Sequence, residues 1–431
     1  MFRRMDPAGP PPSNPRRRHA RYRQRQVRAF SPWWRSQPDP AGSPPRSLAD
    51  FAAPAAAGDL VLRPDVPSML RSGPRGLAAR TFGRRLLGHQ QVVNRRVLVP
   101  RYKPVLWLLA QAGADGVPVG YSERDVRWLG EVGARWLADA GVAPSDVIVN
   151  VLPAGPDLGW WQVALGARAA GLSALHLPHA AGGGSPEEVA RLRPTVLVGR
   201  PMDVLRLLES GLLRDVHLVL VVGGGVTPPV DDGLRSRIES SLAGTGGTCL
   251  AAWAPPGVRA LWVECSGGPA TGFHTWPAIE TIELLDPLSG VGVPDGAGGE
   301  VVWSAVGWHG TVFLRLRTGV FATVDEGRCP ACGRVAPRLG VVADTPRYLA
   351  VLDRHPDVRG WQAELRTVDG VEELVVFVAV QEPGLLSGLE PLLRELDAEL
   401  SVTQFVVVDR ADLDARLAAH DDARVVDLRT T

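Results

Sequence analysis

The stretch HLVLVVGGGVTPPVDDGLRSRIESSLAGTGGTCLAA, from His217 to Ala252, decides the fold class. It begins and ends with apolar runs, which we predict to be strands over His217–Val222 and Thr248–Ala252. The intervening segment Pro229–Leu242 has the spacing of a helix. A strand, a helix and a second strand in this order form the unit from which parallel sheets are built.

The same alternation continues towards the N-terminus. The sequence Ser122-Glu-Arg-Asp125 is typical of a helix start, and apolar residues at helical spacing follow it up to Leu137. Further strands are predicted at Val147–Leu152, Leu172–Leu177 and Thr195–Val198, and further helices at Asp157–Ala170, Pro186–Leu192 and Met202–Leu208. Because these strands are almost entirely apolar, as strands buried on both faces are, we predict an α/β fold with a doubly wound parallel sheet.

Strands dominate after Val258. They are predicted at Ala260–Cys265, Ile279–Leu285, Gly299–Ser304 and Thr311–Arg317, followed near the C-terminus by a strand at Glu372–Val380, a helix at Leu386–Leu400 and a strand at Gln404–Val408. We therefore expect an α/β core over 59–257, a β-rich subdomain over 258–342 and a small α+β domain over 343–431.

Residues 1–58 differ in composition from the rest of the chain. They are rich in proline, and the first 50 residues contain 11 Arg against 3 Asp. Because the segment has few aliphatic residues to bury, we predict a disordered tail whose removal leaves the melting temperature unchanged. Its arginines could contact nucleic acid or anionic lipid, but blocks of like charge are more often solvated.

Composition excludes several classes of protein. The 431 residues carry a net charge of +1, which gives no general attraction to nucleic acid or to a membrane. No charge-free run of 18 apolar residues is present, so no membrane-spanning helix is expected, and the N-terminus lacks the apolar core of a secretory signal. These features favour a cytoplasmic protein without a membrane partner. Lys103 is the only lysine in the chain.

Four residues have the types and spacing of a metal site. Cys329 and Cys332 enclose a two-residue turn, and Cys265 and His274 come from the strands expected beside it. Three thiols and one imidazole suit a structural, tetrahedral zinc ion. The alternative is a set of reduced thiols and a surface histidine. The fourth cysteine, Cys249, is expected to be a buried apolar residue.

An ordered set of motifs extends outward from these residues. It consists of Cys265, His274-Thr-Trp276, Ile282-Glu-Leu-Leu-Asp-Pro287, Val293-Pro-Asp-Gly-Ala-Gly-Gly-Glu300, Leu314-Arg-Leu-Arg-Thr-Gly319 and Cys329-Pro-Ala-Cys-Gly-Arg334. From about Leu60 to Arg429 the chain resembles the phenylacetate–coenzyme A ligase branch of the adenylate-forming (AMP-binding) superfamily. The resemblance implies a large α/β domain and a small C-terminal domain. It also implies ATP-dependent activation of a carboxylate to an acyl-adenylate and transfer of the acyl group to coenzyme A.

The resemblance also implies nucleotide-binding positions. A phosphate loop would correspond to Gln111–Pro118, an adenine-contacting turn would follow the strand that ends at Val222, and an aromatic residue would stack on the base. The matching residues are Gly113, Gly116, Gly223, Gly224, Gly225, Trp253 and Arg317. For each glycine the alternative is an ordinary tight turn.

The chain departs from the family at the catalytic positions. Asp421 stands where the family has its lysine, Pro256-Gly257 where it has the magnesium-binding glutamate, and Val320 where it has the ribose-binding aspartate. Asp115 also adds negative charge to the phosphate-loop stretch. We therefore assign no catalytic residue and expect an impaired homologue that keeps a nucleotide or acyl pocket. The alternatives are a divergent but active carboxylate–coenzyme A or acyl-adenylate ligase, acting on a small-molecule carboxylate, and, more remotely, a nucleic-acid-binding protein.

Overall fold

The computed structural model describes residues 22–37, 44–52, 58–86, 90–112, 115–177, 185–224, 228–230, 232–285, 290–294, 296–341, 358–368, 371–380, 404–420 and 425–428. The chain divides into two compact units that alternate along the sequence. Unit one comprises Met1–Asp146, Pro153–His176 and Ala254–Val342, and unit two comprises Val147–Leu152, Leu177–Trp253 and Ala343–Thr431.

The first part of unit one is mainly helical. Helices α1 to α4 cover Pro32–Ser36, Leu48–Ala52, Val66–Ser72 and Arg75–Leu86, with shorter helical segments at Arg23–Val27, Arg28–Phe30, Gln90–Val93, Asn94–Leu98 and Val99–Tyr102. Strands β1 (Pro104–Ala112) and β2 (Asp115–Ser122) then form an antiparallel hairpin, which helix α5 (Glu123–Asp139) follows. Ser122 and Asp125 form the expected capping box at the start of α5.

Strands and helices alternate in the next part of the chain. In order, they are β3 Val147–Asn150, α6 Leu158–Ala170, β4 Ser173–His176, α7 Pro186–Arg191, β5 Val196–Gly199, α8 Pro201–Glu209, β6 Leu218–Gly223, α9 Asp232–Ser241 and β7 Thr248–Trp253. Strands β7, β6, β5 and β3 of unit two are parallel neighbours in that order, and every residue of β5 is buried. This confirms the α/β class, because these apolar runs are covered on both faces.

The second part of unit one consists of strands. They are β8 Trp262–Val263, β9 Phe273–His274, β10 Glu280–Leu285, β11 Gly299–Ala305, β12 Leu316–Asp325 and β13 Arg338–Val341. Their order is β10-β11-β12-β13-β9-β8, and the neighbours run antiparallel. The predicted strand Thr311–Arg317 is displaced, because Arg315 has a φ of 53° and interrupts the extended backbone just before β12.

The C-terminal part of unit two is a four-stranded sheet. Its elements are β14 Val358–Val368, β15 Val371–Val380, β16 Gln404–Val408, α10 Arg410–Ala419 and β17 Val425–Asp427. The strand order is β16-β15-β14-β17, with β14 and β15 antiparallel and the outer strands parallel to their neighbours. The predicted strands at Glu372–Val380 and Gln404–Val408 are present, whereas the predicted helix Leu386–Leu400 lies outside the described residues.

The N-terminal segment packs against unit one where the structure describes it, which differs from the disorder expected over residues 1–58. Trp34 is buried and donates a hydrogen bond from Nε1 to the carbonyl of Val312 at 2.9 Å. Tyr22 donates its hydroxyl to the carbonyl of Trp308 at 2.7 Å. The segment is poor in aliphatic residues, on which the expected disorder was based, but aromatic side chains supply its apolar surface.

A buried carboxylate joins the strands of unit one. Glu280 accepts hydrogen bonds from the indole of Trp303 at 2.6 Å, from the backbone amide of Trp276 at 2.6 Å and from the indole of Trp262 at 3.2 Å. Burial raises the pKa of Glu280 to about 7, even though these three hydrogen bonds act in the opposite direction. The side chain therefore fixes β8, β10 and β11 to one another.

Among the described residues, no helix combines the length and the apolar character that crossing a bilayer requires.

We predict that Trp34→Ala lowers the free energy of unfolding by about 3–5 kcal/mol, because it removes a large buried side chain and its hydrogen bond. Urea denaturation of the full chain measures this loss. Replacing the neighbouring exposed Arg35 by Ala is the control and should change stability by less than about 0.5 kcal/mol. If the two variants proved equally stable, the packing of α1 would be refuted.

We also predict a pH-dependent contribution from Glu280. Its folded-state pKa of about 7 exceeds the ordinary value of 4.5, so its contribution to stability is complete below about 4.5 and is lost as the pH rises to about 7. The stability advantage of the native protein over Glu280→Gln should fall by on the order of 3 kcal/mol across that range and stay constant above it. Urea denaturation of both proteins in saturating zinc tests this, and a difference independent of pH contradicts it.

Candidate functional site

Four potential metal ligands converge in unit one. The ligand atoms of Cys265, His274, Cys329 and Cys332 all lie within 4.8 Å of one another. Cys265 Sγ is 3.8 Å from Cys329 Sγ, and Cys332 Sγ is 3.5 Å from His274 Nε2. Tetrahedral zinc with Zn–S of about 2.3 Å and Zn–N of about 2.0 Å needs separations of about 3.8 Å between sulfurs and about 3.5 Å from sulfur to nitrogen. The arrangement therefore fits one tetrahedral ion.

Strand pairing brings these ligands together. Cys265 follows β8, His274 lies on β9, and both Cys329 and Cys332 lie in the connection between β12 and β13. Strand β9 lies between β8 and β13, so His274 pairs with residues of both strands. The antiparallel register thus places side by side two cysteines that are 64 residues apart in the sequence.

The connection that carries Cys329 and Cys332 is a tight turn. The amide of Gly333 donates to the carbonyl of Cys329 at 3.0 Å, and Gly333 has a φ of 73°, which a residue with a side chain rarely adopts. A second glycine, Gly267, allows the segment after β8 to approach this turn, because a Cβ there would lie 2.5 Å from the Cβ of Ala331.

Two arginines surround the cluster with positive charge. Buried Arg334 donates to Asp139 at 3.1 Å and to the carbonyl of Thr275 at 3.0 Å. Its guanidinium lies 4.4 Å from the centre of the Trp276 ring. Arg338 pairs with Asp325 on the neighbouring strand. Three thiolates and one zinc ion have a net charge of −1, which nearby guanidinium groups stabilise.

The protonation states within the cluster suit a cation. Burial, together with Arg334 and Arg338, lowers the pKa of His274 to about 3, so its imidazole is neutral and can coordinate a metal. Burial acts to raise the pKa of the Cys329 thiol, but hydrogen bonds from the Cys332 and Ala331 amides outweigh it and lower the pKa to about 7. Burial and the adjacent thiols raise the pKa of Cys332 to about 12. Ionising the Cys332 thiol at neutral pH therefore requires a cation beside it.

The two ring nitrogens of His274 have different surroundings. The side chain is buried, its Nε2 lies 3.5 Å from Cys332 Sγ, and its Nδ1 has no hydrogen-bond partner within the described ranges. Coordination of a metal would therefore use Nε2. The sequence identified the four clustered residues but not the partners Arg334 and Asp139. Arg334 ends the quoted cysteine motif, whereas nothing in the sequence marks Asp139, at the end of α5.

The expected nucleotide residues of unit two lie together at one edge of its parallel sheet. Gly223 ends β6 and Trp253 ends β7, and the two are direct neighbours in the strand register. Ligands of open α/β sheets bind beyond the carboxyl ends of the strands, which is where these residues and Gly224 lie. The Trp253 side chain is fully buried, so a base-stacking role, still a prediction, requires the ring to become uncovered. Gly225 is outside the described residues.

The expected phosphate-loop stretch belongs to the β1–β2 hairpin of unit one. Gly116 lies on β2 and pairs with Gln111, and Pro118 pairs with Leu109. At most two residues, 113 and 114, connect the paired strands, and both are outside the described part of the chain, as is the predicted site residue Gly113. A phosphate role for Gly116 stays a prediction.

Arg317 of unit one forms an ion pair with Glu300 of the same unit. Its Nε lies 3.1 and 2.9 Å from the two carboxylate oxygens of Glu300, and its Nη2 lies 2.5 Å from one of them. The Thr318 hydroxyl donates to the carbonyl of Val301 at 2.7 Å, and the side chain of Val320 is buried. The polar groups of this segment are thus used within the protein.

One further expected position, Asp421, lies outside the described residues.

This fold is that of the adenylate-forming ligases. The structure of a 2-hydroxyisobutyryl-CoA ligase in complex with 2-HIB-AMP matches 96% of this chain and 85% of its own, with a TM-score of 0.60 at 17% sequence identity. A benzoate CoA ligase from Burkholderia xenovorans matches 80% of this chain and 78% of its own, with a TM-score of 0.50 at 16% identity.

Sequence comparison finds relatives in the phenylacetate–coenzyme A ligase branch, which confirms the resemblance. The phenylacetate–coenzyme A ligase of Thermus thermophilus is 27% identical over 330 residues, or 72% of each chain. That of Pseudomonas putida is 28% identical over 225 residues, which is 50% of this chain and 49% of the relative. No protein-family model matches the chain.

We predict one zinc ion per chain, held by the four clustered residues. Cys329→Ser should reduce bound zinc by at least about tenfold and lower the melting temperature, because binding of a structural zinc ion contributes to folding free energy. Metal analysis of protein purified without chelators measures the zinc content. The matched control is Cys249→Ala, which removes a buried thiol of unit two and should leave the zinc content unchanged. Well under one equivalent in the native protein would refute the site.

Proposed function

We propose that this protein is a phenylacetate–coenzyme A ligase-like protein that binds a nucleotide or acyl ligand but has lost most of its adenylation activity. The observation that carries the proposal is the absence of a lysine from the position where the family has its catalytic one. Lys103 is the only lysine in the sequence, and it is an exposed residue that ends the helical segment Val99–Tyr102. At the family position the chain has Asp421, whose charge is opposite.

The ribose position supports the same proposal. In the family an aspartate there accepts hydrogen bonds from the ribose hydroxyls, whereas the apolar side chain of Val320 accepts none. Because Val320 is buried and Arg317 is paired with Glu300, neither side chain is positioned to replace that interaction. Each lost polar contact of this kind reduces a rate by roughly 10²–10³. The combined loss would leave little activity.

The magnesium position lacks a carboxylate as well. Pro256-Gly257 stands there, and Gly257 has a φ of 88°, so the segment is a turn without a metal ligand. Magnesium needs oxygen ligands, and carboxylates are the usual protein ones. Asp115 would additionally repel a triphosphate.

Binding needs fewer of these groups than catalysis does. A base or an acyl group can be held by backbone contacts, which Gly223 and Gly224 offer, and by the Trp253 ring once it is uncovered. The proposed zinc ion would be structural, since four protein ligands leave no open position for a substrate. ATP, AMP and coenzyme A are the ligands that the family relationship suggests.

The alternative function is a divergent but active carboxylate–coenzyme A ligase. What favours it is the sequence match over 72% of the chain with a phenylacetate–coenzyme A ligase. Such an enzyme would need other residues, for example arginines, to replace the missing positive charge.

We predict that ATP–pyrophosphate exchange stays at the enzyme-free background with a panel of aryl and aliphatic acids. The Thermus thermophilus relative, assayed in the same buffer, is the positive control. Magnesium-dependent exchange above background with any acid would overturn the impaired assignment and favour the alternative.

Calorimetry with AMP, ATP and coenzyme A tests the binding part of the proposal. Gly224→Val should weaken nucleotide binding by at least about tenfold, since a side chain would block close approach of the ligand to the backbone. Gly244→Val is the matched control, because a Cβ at Gly244 has open space around it. Absence of binding by all three ligands, or equal effects of the two variants, would contradict a nucleotide site at this edge.

A further inference from the structure

Helix α4, Arg75–Leu86, exposes an apolar stripe in addition to the face that it buries. Leu77 and Thr81 are buried, one turn apart, and attach the helix to unit one. The opposite face carries Ala79, Phe82, Gly83 and Leu86, at the spacing of one helical face. All four are exposed, and Phe82 and Leu86 have 53% and 73% of their surface accessible. Two large apolar side chains therefore project from the surface.

The charged residues of this helix are all basic. The exposed arginines Arg75, Arg84 and Arg85 lie on the same helix. The surrounding sequence, residues 66–114, contains nine Arg or Lys and no Asp or Glu, although the whole chain has a net charge of only +1. Such a bias within a nearly neutral chain concentrates positive potential on one part of the surface.

The same combination continues beyond the helix. Arg95, Arg96 and Lys103 are exposed, and so are Val99 and Trp107, within a stretch that still lacks acidic residues. A surface on which exposed basic residues alternate with exposed apolar ones is typical of binding to a partner that presents both anionic and apolar groups.

We propose that this basic and apolar surface binds peripherally to an anionic lipid bilayer; its residues are Arg75, Phe82, Arg84, Arg85, Leu86, Arg95, Arg96, Val99 and Trp107. Arginine pairs with phosphate through two parallel hydrogen bonds, which suits lipid headgroups. Phe82 and Leu86 enter the boundary between headgroups and acyl chains, which accepts a projecting side chain without a preformed pocket. Nucleic acid would satisfy the arginines but would leave the Phe82 and Leu86 side chains exposed. The absence of a spanning helix does not bear on this mode of binding, because the helix would lie on the bilayer.

The test is co-flotation of the full chain with vesicles of phosphatidylcholine alone or mixed equally with phosphatidylglycerol. We expect at least about tenfold more bound protein on the anionic vesicles at 0.1 M salt, and a large loss of binding at 0.5 M salt. Equal binding to both vesicle types, or none to either, overturns the proposal.

Paired variants distinguish binding through this surface from nonspecific adsorption of the protein to vesicles. Phe82→Ser with Leu86→Ser should reduce binding by about tenfold or more, because the apolar contribution is lost. Leu212→Ser with Phe321→Ser removes a leucine and a phenylalanine that are also exposed, at 43% and 44%, and should have no effect. Arg75, Arg84 and Arg85 changed together to Gln should abolish the preference for anionic vesicles, whereas the same changes at exposed Arg168, Arg191 and Arg214 should preserve it.

A duplex DNA oligonucleotide provides the competing outcome. Suppose that the protein binds DNA as strongly as it binds vesicles, and that the Phe82 and Leu86 changes leave that DNA binding unaffected. Nucleic acid, and not a bilayer, would then be the partner of this surface, and the proposal would be overturned. None of these measurements depends on nucleotide or acyl binding. Bilayer binding can therefore be refuted while the proposed function stands, and the proposed function can be refuted while bilayer binding stands.

Discussion

The antiparallel part of unit one depends on a single buried carboxylate. Glu280 accepts hydrogen bonds from the indoles of Trp262 and Trp303 and from the backbone amide of Trp276, so one side chain fixes three strands and a turn. Trp276 lies two residues after the potential ligand His274 and stacks against Arg334, which in turn is hydrogen-bonded to Asp139 on α5. The geometry of the proposed metal centre is therefore determined by a hydrogen-bonded core outside its four ligands. Such supporting contacts orient ligands in metal sites generally.

The proposed function separates the structural from the catalytic features of the adenylate-forming fold. The parallel strands, the antiparallel sheet and the cysteine turn are all in place, because their sequence requirements are apolar runs, glycines and thiols. The proposed loss of catalysis concerns individual charges instead, at the positions to which we assign Asp421 and Val320. A fold can persist without its ancestral reaction, since packing and catalysis depend on different residues.

The sequence predicted the parallel strands and the four clustered residues because both signals are local or nearly so. Strands such as Val196–Gly199 are continuous apolar runs, and Cys329 and Cys332 are separated by only two residues. The packing of Trp34 against the carbonyl of Val312 could not be predicted, because it joins residues 278 positions apart. The ion pair between Arg317 and Glu300 was missed for the same reason: register between β11 and β12 determines it, and no short motif encodes register.

The sequence spacing of the four potential metal ligands determines when each becomes available during synthesis of the chain. Cys265 leaves the ribosome 64 residues before Cys329, which at about 5–20 residues per second is a delay of roughly 3–13 s. During that time β8 and β9 carry two ligands without their partners, while β10, β11 and β12 are still being made. If the four residues bind a metal ion as predicted, the ion can join them all only after the cysteine turn appears. Metal capture would thus mark the completion of this sheet during translation, and a metal bound earlier would hold only half of its final coordination.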